Sequence, residues 1–167
     1  MSEQAVVDNL EFARHGAVLQ GELVIAELDR LQEHLRSNQG VLKYTLSGKT
    51  GKKGESLLEC SVDGKLVLQC QRCLEALEYP IHVVSTLKVV KGLTQFDDIG
   101  DEDEAVDSIP ASTAMNVSAM IEEEILLNLP ISPLHAPGAC REQDGAKSAK
   151  DERTNPFGAL AALKGTL

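Results

Sequence analysis

An α+β fold, built as an antiparallel β-sheet meander with flanking helices and an acidic loop, is predicted by three observations. Between residues 41 and 91, apolar and polar side chains alternate in several consecutive runs. On both sides of this block, over 22–36 and 117–128, apolar residues recur at helical spacing. A run of acids over 92–112 separates the sheet from the second helix. The chain of 167 residues is long enough for one compact domain with its own core, so a single domain over 1–167 is expected.

Taken in order, the first helix is expected over 22–36, where Leu23, Leu28, Leu31 and Leu35 line one side and Ser37-Asn38-Gln39-Gly40 ends it. The sheet, 41–91, then opens with Leu42, Tyr44 and Leu46 alternating against Val41, Lys43 and Thr45. The glycine-rich, basic stretch 47–54 reads as a hairpin loop. A second strand follows with Leu58, Cys60 and Val62 on one face, and Asp63-Gly64 reads as a two-residue hairpin turn into a third, Lys65 to Cys70. A fourth strand runs from Tyr79 to Lys91 with Ile81, Val83, Leu87 and Val89 on one face. Seven acids in 92–112 and little to bury predict a mobile loop. The remainder, 113–167, reads as a helical C-terminal part. Asn116 is placed to cap a helix Val117 to Asn128, with Val117, Met120, Ile121 and Ile125 as its apolar stripe and Glu122, Glu123 and Glu124 favoured by the helix dipole. Pro130 and Pro133 stop it. A last short helix starts at Asn155 and Pro156, with Phe157, Leu160 and Leu163 on its apolar side.

Charge is distributed unevenly. The net charge of −10 equals that of residues 92–128 alone, which hold ten acidic and no basic side chains. Residues 41–91 have eight Lys or Arg against five acids and form the one clearly basic segment. Indiscriminate binding of polyanions is therefore disfavoured, and any RNA surface must lie in that segment. Met1 to Gln20 lacks a basic start followed by an apolar block, and no apolar run approaches the roughly 20 residues of a bilayer span, so a cytoplasmic location is expected. In that compartment thiols stay reduced.

The chemistry centres on Cys70-Gln71-Arg72-Cys73, directly after an apolar strand. Two thiols at this spacing point to one side of a tight turn and suit either a metal or a redox pair. Cys140 and His135, five residues apart, complete a zinc-type ligand set of Cys70, Cys73, His135 and Cys140. The plainer alternative makes Cys70 and Cys73 packing residues and leaves the others in a polar tail. Cys60 alternates with Leu58 and Val62 and reads as core. A thiol oxidoreductase needs a helix to stabilise its thiolate, and Leu74 to Tyr79 is too short before Pro80 to supply it. No G-x-S-x-G, H-E-x-x-H or Walker pattern occurs.

Lys49, Lys52 and Lys53, among glycines, could contact phosphates, or simply form a solvated hairpin tip. With Arg72, Lys88 and Lys91 they are the candidate contacts to RNA or a protein partner. Five aromatics offer little for base stacking, which argues against single-strand RNA reading and leaves contact with structured RNA through phosphates open. The acidic loop is either solvating or a dock for a basic protein.

Three stretches, Leu68 to Glu75, Ile121 to His135 and Asn155 to Lys164, resemble in order and spacing the signatures of the YceD family, the large ribosomal RNA subunit (23S) accumulation proteins. The resemblance covers roughly the last two thirds of the chain. It implies a bacterial, cytosolic, non-enzymatic factor supporting synthesis, processing or stability of 23S rRNA in large-subunit biogenesis. The partners implied are 23S rRNA or its precursor and large-subunit assembly proteins, with no membrane and no small-molecule substrate. Many relatives have a second cysteine pair where this chain has His135 and Cys140, so the resemblance leaves zinc as a candidate cofactor only. The alternative from another class is a protein-binding adaptor acting through the acidic loop and the helix of Asn155, Pro156, Phe157, Leu160 and Leu163.

Overall fold

A computed structural model describes residues 5–92 and 106–140. Along the chain its elements are β1 (Val6–Val7), α1 (Asn9–Arg14), β2 (Val18–Val24), β3 (Leu35–Ser37), β4 (Val41–Thr50), β5 (Ser56–Gln69), β6 (Ala76–Val90), β7 (Asp107–Pro110), β8 (Met115–Asn116) and α2 (Val117–Asn128). The alternation read over 41–91 holds. Leu42, Tyr44, Leu46, Leu58, Cys60, Val62, Ile81, Val83 and Leu87 all fall on one buried face. The main sheet has the order β2-β4-β5-β6-β7, with β3 pairing with β5 where β4 has ended. All its pairings are antiparallel except β6–β7. Helices α1 and α2 cover the apolar face, and β1 pairs with β8. The fold is α+β, as expected. Among the described residues no helix is long and apolar enough to cross a membrane.

Several elements differ from expectation for identifiable reasons. Residues 22–36, expected as a helix, instead finish strand β2, pass through two 3-10 turns (Ile25–Glu27 and Leu31–His34) and enter β3. Ile25, Leu28 and Leu31 are indeed buried at a spacing of three. A 3-10 turn aligns i with i+3, so this segment imitates a helical stripe without forming a helix. Asp63-Gly64 makes no turn. It lies mid-way along the 14-residue β5, with Gly64 opposite Ile81. A Cβ on Gly64 would come within 2.5 Å of Leu42 Cδ2, so the glycine admits a close neighbour rather than a bend.

The loop expected over 47–54 is shorter, because β4 extends to Thr50. Gly48 belongs to that strand and touches α1, where a Cβ would sit 2.2 Å from the Phe12 carbonyl oxygen. The fourth strand starts at Ala76 rather than Tyr79. The end of the expected acidic loop, Asp107–Pro110, is strand β7. The other acids of that loop and the helix expected from Asn155 lie outside the described residues.

Helix α2 has the predicted bounds, and Asn116 caps it by accepting from the Ala119 N–H at 3.0 Å. Val117, Ile121 and Ile125 are buried against the sheet, each contributing about 1.5–3 kcal/mol by leaving water. The glutamates serve differently from the dipole reading. Glu122 is buried and accepts from the N–H of Leu31 at 3.0 Å, which fastens α2 to the second 3-10 turn.

Candidate functional site

The C-x-x-C is the tip of the β5–β6 hairpin. Cys70 ends β5, its N–H donates to the Glu75 carbonyl at 3.0 Å, and Leu74 donates back to the Cys70 carbonyl at 2.9 Å. Leu74 takes a left-handed conformation, φ 62°, which closes the turn in so few residues. Both thiols are buried. The chain beyond α2 comes back over this tip, where the Gln71 N–H donates to the Pro133 carbonyl at 2.9 Å. His135 and Cys140 are thereby brought to the two thiols, as the sequence proposed.

The donor atoms of Cys70, Cys73, His135 and Cys140 all lie within 4.8 Å of one another. Cys70 Sγ is 3.8 Å from Cys140 Sγ, and His135 Nδ1 is 3.3 Å from Cys73 Sγ and 3.8 Å from Cys140 Sγ. Zinc–sulfur bonds of about 2.3 Å and zinc–nitrogen bonds of about 2.0–2.1 Å give tetrahedral edges of about 3.8 Å between sulfurs and about 3.5 Å between sulfur and nitrogen. These three separations lie close to such edges and no pair of the set exceeds 4.8 Å, so the four residues could hold a zinc ion. His135 Nε2 donates to the Ala76 carbonyl at 3.1 Å, which fixes the tautomer and turns the Nδ1 lone pair towards the sulfurs.

The electrostatics divide the two thiols. Burial works to push the Cys70 thiol up, but N–H groups of Cys73, His135 and Arg72 aimed at its sulfur overcome that and bring it down to about 5. The Glu75 N–H works to lower Cys73, yet burial and the sulfurs of Cys70 and Cys140 carry that thiol above its ordinary value. The two shifts are linked, because the Cys73 thiol hydrogen-bonds to the Cys70 sulfur, which favours the thiolate at Cys70 and the protonated form at Cys73. Arg72 Nε donates to Cys140 Sγ at 3.0 Å and its terminal nitrogen to the His135 carbonyl at 3.1 Å. Its charge would balance three thiolates around a divalent ion. No helix begins near the thiols, since β6 follows at Ala76. Among the described residues the helix-stabilised thiolate of a thioredoxin-like site has no counterpart.

The basic residues do not form one surface. Arg72 belongs to the clasped tip. Lys53, Lys88 and Lys91 line a cavity of about 420 Å³ at the opposite end of the hairpin, where Ser56 pairs with Val89. The 14 residues of β5 separate the two ends by about 43 Å at about 3.3 Å per residue. Lys49 is ion-paired with Glu59, and Lys52 lies exposed in the neighbouring turn. Arg14, which sequence reasoning did not select, joins the same cavity from the last turn of α1. Its signal was Asp8, whose carboxylate caps α1 through the N–H groups of Leu10 and Glu11. Six residues were too few for a periodic pattern. Cys60, read as core, is fully buried, and burial together with the Glu124 carboxylate pushes its thiol up to about 12.

Fold and site together define a small α+β protein whose long hairpin has, at its tip, a Cys3His group that could hold a metal ion and, at its base, lysines. The chain belongs to the YceD family. The family described as "Large ribosomal RNA subunit accumulation protein YceD" matches residues 58–164, a span that includes the four clasp residues, Lys88 and Lys91 but not Lys49, Lys52 or Lys53. The chain is also similar to the large ribosomal RNA subunit accumulation protein YceD of Haemophilus influenzae, at 25% identity over 164 residues covering 95% of this chain and 94% of that one. No solved structure matches.

Proposed function

We propose that this chain is a non-enzymatic factor that supports synthesis, processing or stability of 23S rRNA in large-subunit biogenesis. The observation that carries this reading is the family match over 58–164, which spans the hairpin from inside β5 to beyond the clasp. In this reading zinc, held by Cys70, Cys73, His135 and Cys140, ties the C-terminal segment to the hairpin tip. Arg72 balances the charge there instead of meeting RNA. The base of the hairpin, with Lys53, Lys88 and Lys91 joined by Arg14 and flanked by Lys49 and Lys52, contacts phosphates of 23S rRNA or its precursor in the cytoplasm. Large-subunit assembly proteins are the other partners, and neither a membrane nor a small-molecule substrate takes part.

The test is made in cells of the source organism that lack the native gene. Wild-type chain is expected to restore the ratio of 23S to 16S rRNA, and the K53E/K88E/K91E variant to fail while accumulating normally. Full restoration by that variant would remove the basic end from the mechanism. An unchanged ratio in the cells lacking the gene would overturn the rRNA reading itself.

A further inference from the structure

Helix α2 has three consecutive glutamates with three different surroundings. Glu122 receives the Leu31 N–H, and Glu123 faces Arg30 at 3.8 Å on the exposed side. Glu124 is seven residues beyond Val117, two helical turns, so it falls on the apolar stripe facing the sheet. It is only 6% exposed. Among the described residues no hydrogen bond or ion pair reaches its carboxylate, whose oxygens keep some access to solvent. A carboxylate held by a mostly buried side chain at a cavity wall loses part of its hydration, and a cationic partner there would compensate for that loss. Nearby, Cys60 is fully buried and is sensitive to the Glu124 charge. Ser85, opposite Cys60 in the β5–β6 register, has a buried hydroxyl without a partner.

Glu124 lines a cavity of about 440 Å³ between α2 and the β6–β7 edge. Leu87, Ile109, Met120 and Leu127 give it apolar walls, and Asp107 and Glu123 add negative charge at its margin. Leu127 is 71% exposed, a large apolar side chain left in water at the mouth. In sequence the cavity follows directly on Asp97 to Glu104, a stretch with no basic residue. Asp107, Glu123 and Glu124 at the cavity itself disfavour a polyanion. A bound metal is not indicated either, because the one convergent group of metal-ligating side chains among the described residues is the Cys3His set. An aliphatic stem with a cationic head fits both parts of the cavity: the stem against the leucines and methionine, the head at the carboxylate.

We propose that this cavity receives an arginine or lysine side chain from a basic segment of a protein partner, with Glu124 as the buried counter-charge. The site is distinct from both the clasp and the basic end of the hairpin, and its test is independent of the rRNA reading. Fluorescence anisotropy in about 0.15 M salt, where loose charge attraction is screened, would follow a labelled dodecapeptide of alternating arginine and leucine binding to the full chain. A second peptide would have citrulline for arginine. Saturable binding by the arginine peptide is expected, weakened about ten-fold or more by E124Q, about 1.4 kcal/mol or more. E123Q at the exposed margin should weaken it less, and the citrulline peptide should bind poorly to every variant.

Thermal melting separates recognition from a structural role. E124Q keeps the side-chain shape and removes a charge that has no partner among the described residues, so the melting temperature should stay level or rise while binding is lost. Equal binding by E124Q, no saturable binding by wild type, equal binding of the citrulline peptide, or a lowered melting temperature for E124Q would each overturn the proposal. So would a structured RNA whose affinity falls with E124Q.

Discussion

Opening the clasp by Cys73→Ser should remove the metal and loosen the tip while leaving the core folded. The magnitude follows from sequence separation. Cys73 and His135 are 62 residues apart, and Cys70 and Cys140 are 70 apart. Cross-linking a loop of that length lowers the entropy of the unfolded chain by an amount worth about 4 kcal/mol at 25 °C. At about 2–4 °C per kcal/mol for a chain of this size, the melting temperature should fall by about 8–16 °C. The core residues beneath α1 and α2 do not touch the clasp, so far-ultraviolet circular dichroism at 25 °C should remain close to wild type. The assay is a melt of both proteins with and without a chelator, alongside metal analysis of protein purified without one. The chelator should lower wild type to the level of the variant and leave the variant unmoved. Wild-type protein free of zinc, or a chelator shift below about 2 °C, refutes the loop-closure reasoning.

Three further outcomes test other parts of the structure. Glu122→Ala strands the N–H of the fully buried Leu31 and should cost about 1–3 kcal/mol in urea unfolding, with Glu122→Gln milder because an acceptor remains; equal losses for the two would remove that hydrogen bond from the account. Zinc entry at neutral pH must expel the proton of Cys73, whose thiol lies above its ordinary value, whereas Cys70, at about 5, is already ionised. Affinity should therefore fall as pH falls, and more steeply below about 5, where Cys70 also takes up a proton. Calorimetry in two buffers of different ionisation heat should count at least one proton released near pH 7, and none released would contradict the assignment. Finally, Gly48→Ala should cost at least about 1–3 kcal/mol. The Cβ meets backbone, Phe12 O at 2.2 Å and Ala13 Cα at 2.7 Å, whereas at Gly64 the nearest atom is the movable tip of Leu42. Greater destabilisation by Gly64→Ala would invert the packing described for α1.

What was legible in the sequence was whatever local pattern and local contact agreed upon. Leu58, Cys60 and Val62 alternate because one face of β5 is buried along its length, and Asn116 announces α2 because the capping residue and the helix are neighbours. The misreadings arose where distant partners decide. Leu28 and Leu31 keep helical spacing, yet pairing of Leu23 with Leu42 and the long-range bond from Glu122 hold that segment in strand and 3-10 turn. Asp63-Gly64 has hairpin chemistry, but both neighbouring strands pair straight through it, Lys43 opposite Asp63 on one side and Ile81 opposite Gly64 on the other. The ligand set was legible as chemistry, since thiols and an imidazole at ligand spacing are few in this chain. That Arg72 sits on Cys140, rather than among the lysines, was not. Sequence proximity to a basic segment carries no information about which end of a 14-residue strand a side chain occupies.

Leu74 links the strain of the turn to its function. A leucine at φ 62° costs about 1–2 kcal/mol relative to an ordinary conformation, and a glycine there would avoid the cost. The turn keeps leucine because its backbone is held from both sides, by the bond to the Cys70 carbonyl and by Gln69 Nε2 donating to the Leu74 carbonyl at 3.2 Å. That closure delivers both thiols to one side and turns the Cys73 and Arg72 N–H groups onto the Cys70 sulfur. Its side chain is 54% exposed, so burial of leucine does not offset the strain. What offsets the strain is the turn's own hydrogen bonding together with the four donor groups that it brings together. The strained residue and the four donor groups are therefore linked, since the left-handed turn at Leu74 is what sets both thiols on the side that His135 and Cys140 reach.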